Sequence, residues 1–161
     1  MIYILSDPIR SGKTTALMSW AKQRDDVNGF LCPDNSKGKR CFINVKSQEE
    51  FELETDSETQ EIVEIGPFRF LKSTFKKTND LVINFSSEME HCYLILDELG
   101  KLELRNEGLH GSAEILIPQF IADKKRHLIL VVRDYLLDEV IEHYDISEYQ
   151  ILKKEDLKSL L

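Results

Sequence analysis

The sequence has no apolar stretch approaching the roughly 18–20 residues that a membrane-spanning helix needs. Its longest candidates, such as Leu128-Ile129-Leu130-Val131-Val132, have the length of buried strands. The opening run from Met1 to Leu5 is too short for a signal-peptide core and lacks a basic leader, so no export signal is expected. Cysteine is scarce: Cys32, Cys41 and Cys92 are odd in number and scattered, with no CxxC pair. That pattern argues against a disulfide framework or a zinc site and for a reducing cytoplasm. Cations are also in deficit, 21 Lys and Arg against 29 Asp and Glu, for a net charge of −8. Nucleic acid is therefore not the expected partner, because phosphate backbones require clustered positive charge. The short basic patches Lys37-Gly38-Lys39-Arg40 and Lys124-Lys125-Arg126 read as solvated loop and helix-end charge. Four histidines (His91, His110, His127, His143) share no metal-ligand spacing and carry no assigned chemistry.

What is present is the material of one globular domain over residues 1–161: 42% hydrophobic and 31% charged residues, without repeats or low-complexity linkers. Residues 1–6 read as a strand buried on both faces. Residues 13–24 read as a helix with Ala16, Leu17, Trp20 and Ala21 on one side. Between 28 and 70 the chain turns β-rich, with turn formers at Pro33-Asp34-Asn35, Lys37-Gly38 and Gly66-Pro67. This stretch is expected to be an antiparallel insert decorating the main fold. From Leu71 to about Met89 a helical stripe returns, formed by Leu71, Phe75, Thr78, Val82 and Phe85. A strand over 92–98, a helix over 111–125, a strand over 127–132, a helix over 135–143, a short strand over 148–152 and a terminal helix over 154–161 complete the chain. Strands alternating with helices outside the insert predict an α/β domain with a mostly parallel sheet.

The first strand–helix junction carries Asp7-Pro8-Ile9-Arg10-Ser11-Gly12-Lys13-Thr14. The pattern G-x-x-x-x-G-K-[ST] at such a junction is a phosphate-binding loop. Gly12 lets backbone N–H groups approach phosphate, Lys13 neutralises the β- and γ-phosphates, and the Thr14 hydroxyl is a Mg²⁺ ligand. The start of the helix adds its partial positive charge. Asp7 replaces the first glycine; Asp tolerates a left-handed backbone better than most residues, which would let the loop close. Its carboxylate must turn away from triphosphate, and Arg10 partly offsets it. The expected nucleotide-binding set is Asp7, Pro8, Ile9, Arg10, Ser11, Gly12, Lys13, Thr14 and Thr15.

The apolar run Tyr93-Leu94-Ile95-Leu96 ends in Asp97-Glu98. An NTPase needs one carboxylate to hold Mg²⁺ and usually a second group to orient the attacking water. Asp97 fits the first role, beside Thr14, and Glu98 the second. The words that follow, Asp97-Glu98-Leu99-Gly100-Lys101-Leu102-Glu103-Leu104, resemble the D-E-[IL]-G-K-[ML]-E-L signature of a family of small P-loop nucleoside-triphosphatases, with members from hyperthermophiles to a cancer-related human protein. Gly29-Phe30-Leu31-Cys32-Pro33-Asp34, Gly38-Lys39-Arg40-Cys41-Phe42 and Gly66-Pro67-Phe68 with Phe75 resemble further segments of that family, in the same order. The resemblance spans nearly all of residues 1–135.

The resemblance implies a three-layer P-loop NTPase sandwich with a RecA-like sheet, in which a strand lies between the P-loop strand and the Asp97 strand. Residues 127–132 would be that strand, placing Arg133 at its tip beside the γ-phosphate as a catalytic cation. It implies hydrolysis of ATP, GTP or other nucleoside triphosphates to NDP and phosphate, with broad base preference. The loop departs from the family's G-x-P-G-x-G-K by two glycines, which bears on rate more than on binding. Lys101 and Glu103 belong to the signature and could instead form a structural ion pair. Arg105 is a further cation candidate on a segment, 105–112, expected to be mobile. Trp20, Phe30 and Phe70 are expected in the core rather than on a base. Two other readings stay open: a small-molecule kinase using the same loop, although an Arg-rich lid is not evident, and a slow nucleotide switch with a protein partner. No N-K-x-D base-reading motif appears.

Overall fold

The computed structural model describes residues 1–88 and 93–160. The expected helix end at Met89, the strand start at Cys92, and His91 and Leu161 lie outside the described residues. In chain order the elements are β1 (Ile2–Asp7), α1 (Lys13–Ala21), β2 (Val27–Leu31), β3 (Cys41–Asn44), β4 (Glu50–Glu52), β5 (Ile62–Ile65), β6 (Phe68–Leu71), α2 (Lys72–Glu88), β7 (Tyr93–Leu99), α3 (Lys101–Leu104), α4 (His110–Ala122), β8 (His127–Arg133), α5 (Leu137–His143) and β9 (Tyr149–Leu152). A 3₁₀ turn, Asp134–Leu136, precedes α5, and the segment expected to be a terminal helix is 3₁₀ as well, Lys154–Ser159.

Seven strands form one sheet in the order β4-β3-β2-β7-β8-β1-β9, and β5 and β6 form a separate antiparallel hairpin. Strands β2, β7, β8, β1 and β9 run parallel. Strand β8 lies between β1 and β7, as the resemblance implies. Alternate residues feed opposite faces, following the period of two along a strand. Ile4, Leu94, Leu96, Leu128 and Leu130 join the core beneath α2, α4 and α5. Leu5, Ile95, Ile129 and Val131 join Leu17 and Ala21 of α1 on the other face. Because both faces are covered, β1, β7 and β8 are apolar along residues 2–5, 93–96 and 128–132, and their polar residues stand toward their ends. Four residues of the expected helical stripe lie on α2, Phe75, Thr78 and Val82 buried and Phe85 packed against the same core, whereas Leu71 is the last residue of β6 and buried there.

The expectation for residues 28–70 needs correction. Strand β2 is no decoration; it pairs in parallel with β7 and is buried along its whole length. The run over 29–32 reads as β from sequence, but nothing local distinguishes it from the β-rich stretch that follows, so its parallel place beside β7 is not evident there. Only β3 and β4 extend the sheet antiparallel, and β5–β6 stands apart. Phe30 packs among Phe42, Phe51 and Phe85, and Trp20 meets Tyr93 edge-on at 5.2 Å.

Gly29 makes the β2–β7 pairing possible. It has φ +118°, and a Cβ there would lie 2.2 Å from the Ile95 carbonyl oxygen. Glycine in a strand interior commonly marks such a close backbone approach. Gly29→Ala should therefore lower unfolding free energy by about 3 kcal/mol or more, combining strain with steric clash. Urea denaturation followed by circular dichroism checks this; a loss below about 1 kcal/mol would show that the two strands can separate at no cost.

Candidate functional site

The phosphate loop spans the gap between β1 and α1. Gly12 takes a left-handed conformation, φ 87° and ψ 22°, and its carbonyl accepts the N–H of Ala16, the first bond of the helix. A left-handed residue is also needed two positions earlier, where Arg10 supplies it at φ 57°. Asp7 is not left-handed. It ends β1 in register with Arg133 of β8, so the missing first glycine costs this loop no backbone freedom. Pro8, Ile9, Arg10, Gly12 and Thr15 are exposed, lining the outer surface of the turn. The first N–H groups of α1 have no side-chain cap and are left available to an anion.

Lys13 is buried, and its ammonium donates to the carbonyls of Asp7 at 2.9 Å and Pro8 at 2.8 Å, with the Ser11 hydroxyl at 3.4 Å. Desolvation lowers its pKa, opposed by the charges of Glu98, Asp7 and Asp97. The Asp7 carboxylate turns from the loop toward Lys153, 3.4 Å away. Lys153 also donates to the Ser6 carbonyl at 2.8 Å, and its neighbour Lys154 donates to the Ser11 carbonyl at 2.6 Å. Two lysines that follow β9 thus grip both ends of the loop. Sequence reasoning missed them; the one signal was an adjacent basic pair far along the chain.

Thr14 and Asp97 meet directly. The Thr14 hydroxyl donates to Asp97 Oδ2 at 2.8 Å, and the Cys32 amide donates to the same oxygen at 3.0 Å. Asp97 is fully buried, and Oδ1 has no hydrogen-bond partner among the described residues. Burial raises its pKa, helped by the neighbouring Glu98 charge and opposed by both hydrogen bonds. Glu98 sits between two guanidiniums, Arg133 at 3.7 Å and Arg40 at 3.7 Å. Arg133 stands at the tip of β8, while Arg40 precedes β3 and donates to the Cys32 carbonyl at 2.9 Å. From sequence Arg40 is expected to be solvated loop charge; the structure instead brings it into the site.

The rest of the signature segment has a different role from an ion pair. Glu103 is buried and accepts the amides of Gly100 and Leu109, each at 2.8 Å. Lys101 does not pair with it; its ammonium lies 6.0 Å from the Tyr135 ring. Arg105 donates to the Glu64 carbonyl and faces Glu107, away from the phosphate loop. Residues 105–112 are braced rather than loose: Asn79 bonds both the Gly108 carbonyl and the Ser112 amide at 2.9 Å. Beside Asp97 and Glu98 a cavity of about 280 Å³ opens toward Phe70 and the β5–β6 hairpin.

Two outcomes follow from these contacts. Burial pushes the Glu103 carboxyl from 4.5 to about 7. The folded chain then holds a proton that the unfolded chain releases between pH 4.5 and 7, so stability falls as pH rises across that window, by roughly 3 kcal/mol. Denaturation midpoints measured from pH 4.5 to 7.5 should show this slope on top of a lesser one from Asp97, which burial pushes up from 3.8 to about 6, and Glu103→Gln should remove the part that extends from pH 6 to 7. Lys154→Met should weaken Mg·ATP binding about tenfold, a loss of about 1.4 kcal/mol, with little change in melting temperature. Unchanged affinity in a titration with fluorescent nucleotide would mean that the loop holds its shape without that lysine.

No protein-family model and no curated protein matches this sequence. Two solved structures match it in three dimensions. THEP1 from the hyperthermophile Aquifex aeolicus superposes with TM-score 0.74 at 16% identity, over 100% of this chain and 97% of that one. A human cancer-related nucleoside triphosphatase superposes with TM-score 0.66 at 13% identity, over 98% and 93%. The α/β architecture is thus shared end to end with these two proteins: the chain has a P-loop NTPase fold.

Proposed function

We propose that this chain is a Mg²⁺-dependent nucleoside-triphosphatase that hydrolyses NTP to NDP and phosphate with broad base preference. The observation that carries this reading is the contact between Thr14 and Asp97, which joins the two elements that an NTPase uses to hold its metal. Asp97 Oδ1, buried and unpartnered among the described residues, is a free hard-oxygen ligand of the kind Mg²⁺ takes. Thr14 and Asp97 would hold the ion, which when bound neutralises charge on the phosphates. A human protein of the same fold carries the name nucleoside triphosphatase.

The chain's own residues divide the remaining work. The loop amides and the start of α1 bind the β-phosphate oxygens, and Lys13 exchanges the carbonyls of Asp7 and Pro8 for phosphate. Glu98 orients a water for in-line attack on the γ-phosphorus and accepts its proton as the bond to the bridging oxygen breaks. Arg133 stabilises the charge that builds on the transferred group. Arg133 and Arg40 hold the Glu98 carboxylate from two sides, so its direction is fixed before substrate arrives. The absence of an N-K-x-D motif fits a site that reads phosphates and not the base. The buried free thiols Cys32 and Cys41 suit the reducing cytoplasm inferred for it.

Phosphate release from ATP, GTP, CTP and UTP with Mg²⁺ tests the reading, and comparable rates for the four are expected. Glu98→Gln should keep Mg·NTP affinity while turnover falls about 10²-fold or more, as for loss of a general base. Lys13→Ala should lose both. Normal turnover by Glu98→Gln would remove Glu98 from its assigned role.

A further inference from the structure

One water needs a cavity of only about 10–15 Å³, yet the cavity that opens beside Glu98 measures about 280 Å³, close to the lower bound of small-molecule sites. Hydrolysis does not require this space. Its two ends differ in kind. Asp97, Glu98, Arg40 and Arg133 form the polar end; Lys101 and Glu103 also line the cavity, the Glu103 oxygens already taken by the amides of Gly100 and Leu109. At the far end stand Phe42, Phe70 and Phe75 with Leu53 and Ile65, and no side chain there offers a hydrogen bond. The rings are already set at right angles to one another, Phe42 to Phe75 at 5.8 Å and Phe70 to Phe75 at 6.2 Å. At the rim Phe68 is 45% exposed and lies parallel to Phe70, offering one more ring face.

No residue from 7 to 15 lines this cavity, so it is not the seat of the triphosphate. The sheet order explains its position. Strand β8 separates β1 from β7, and the cavity runs from the tip of β7 toward β3, away from the phosphate loop. Glu98 and Arg133 are therefore shared: they line the cavity and in the proposed mechanism serve the γ-phosphate. An occupant would meet the reacting phosphorus across the same carboxylate that activates water.

We infer that the cavity is an acceptor site for an alcohol with an apolar, aromatic body, whose hydroxyl replaces water beside Glu98. The inference rests on the nucleotide-site reading above. The alcohol oxygen bonds to the γ-phosphorus as the bond from that phosphorus to the β–γ bridging oxygen breaks. The hydroxyl proton passes to Glu98, and the bridging electron pair leaves with NDP; the products are a phosphate monoester and NDP. The ring-lined end favours an aromatic body through edge and face contacts. A polar-edged body such as a nucleobase would leave its donors and acceptors unpaired there, at a cost in affinity.

The test incubates the full chain with Mg·ATP and increasing 2-phenylethanol, with adenosine as the polar-bodied comparison, and follows free phosphate and phosphate ester by ³¹P NMR. Ester should form from 2-phenylethanol and grow at the expense of free phosphate. Ile65→Trp, which fills the apolar end, should cut the ester-to-phosphate ratio about tenfold or more, whereas Ile65→Ala should not. The ratio is independent of how much enzyme folds. Phosphate release without ester would overturn the acceptor site and leave the hydrolase reading standing. Ester formation without release to water would uphold the acceptor site and overturn the hydrolase. Preferential phosphorylation of adenosine, or a ratio indifferent to Ile65→Trp, would sink the apolar-bodied acceptor.

Discussion

Asp97 Oδ2 is the point on which the site converges. It accepts one hydrogen bond from the first turn of α1 and one from the backbone just beyond β2, while its own strand is β7. Two charge-assisted bonds, each worth about 1.5–3 kcal/mol, hold a carboxylate that burial would otherwise penalise. The arrangement fixes the distance between the phosphate loop and the acidic strand even though β8 separates them. With that distance set, Glu98 lands between Arg40 and Arg133, and the cavity beside it takes its shape.

Charge distribution follows the same logic on a larger scale. The chain carries a net charge of −8, which read alone disfavours a polyanionic ligand. The cations are not spread evenly, however. Lys13, Arg40, Arg133, Lys153 and Lys154 all come within bonding distance of the loop or of Glu98. Bulk charge speaks to the surface as a whole, whereas a triphosphate samples the local field. Asp7, awkward beside phosphate, is answered by Lys153.

How much of this could be read from the sequence depended on the range of each contact. Gly12-Lys13-Thr14 and Asp97-Glu98 were legible because strand, turn and helix set those residues in place locally. The position of β8 and of Arg133 was legible only through resemblance, since nothing local says which strand lies beside which. Arg40, Lys153 and Lys154 were illegible: each reaches the site from an element distant in sequence, and each looks like ordinary surface charge. The place of strand β2, though not its β character, escaped for a different reason. A short buried strand with a glycine at its centre carries no local mark of whether it pairs in parallel or antiparallel, and its function is to let another backbone come close. Glu103 and Lys101 share a signature, yet the carboxylate serves two backbone amides instead.

The grip of Lys153 and Lys154 on the loop near residue 10 sets an order of events during synthesis. The nucleotide loop leaves the ribosome well before Lys153 and Lys154, which tie its two ends from 147 and 143 positions further along the chain. Strand β9, which presents those lysines, must first add itself beside β1. Such a long-range contact forms late, because its loop-closure entropy is met only when the intervening sheet is assembled. A nascent chain therefore holds a fully tied loop only once β9 has docked beside β1, and full affinity for nucleotide becomes a report that translation has passed the edge of the sheet.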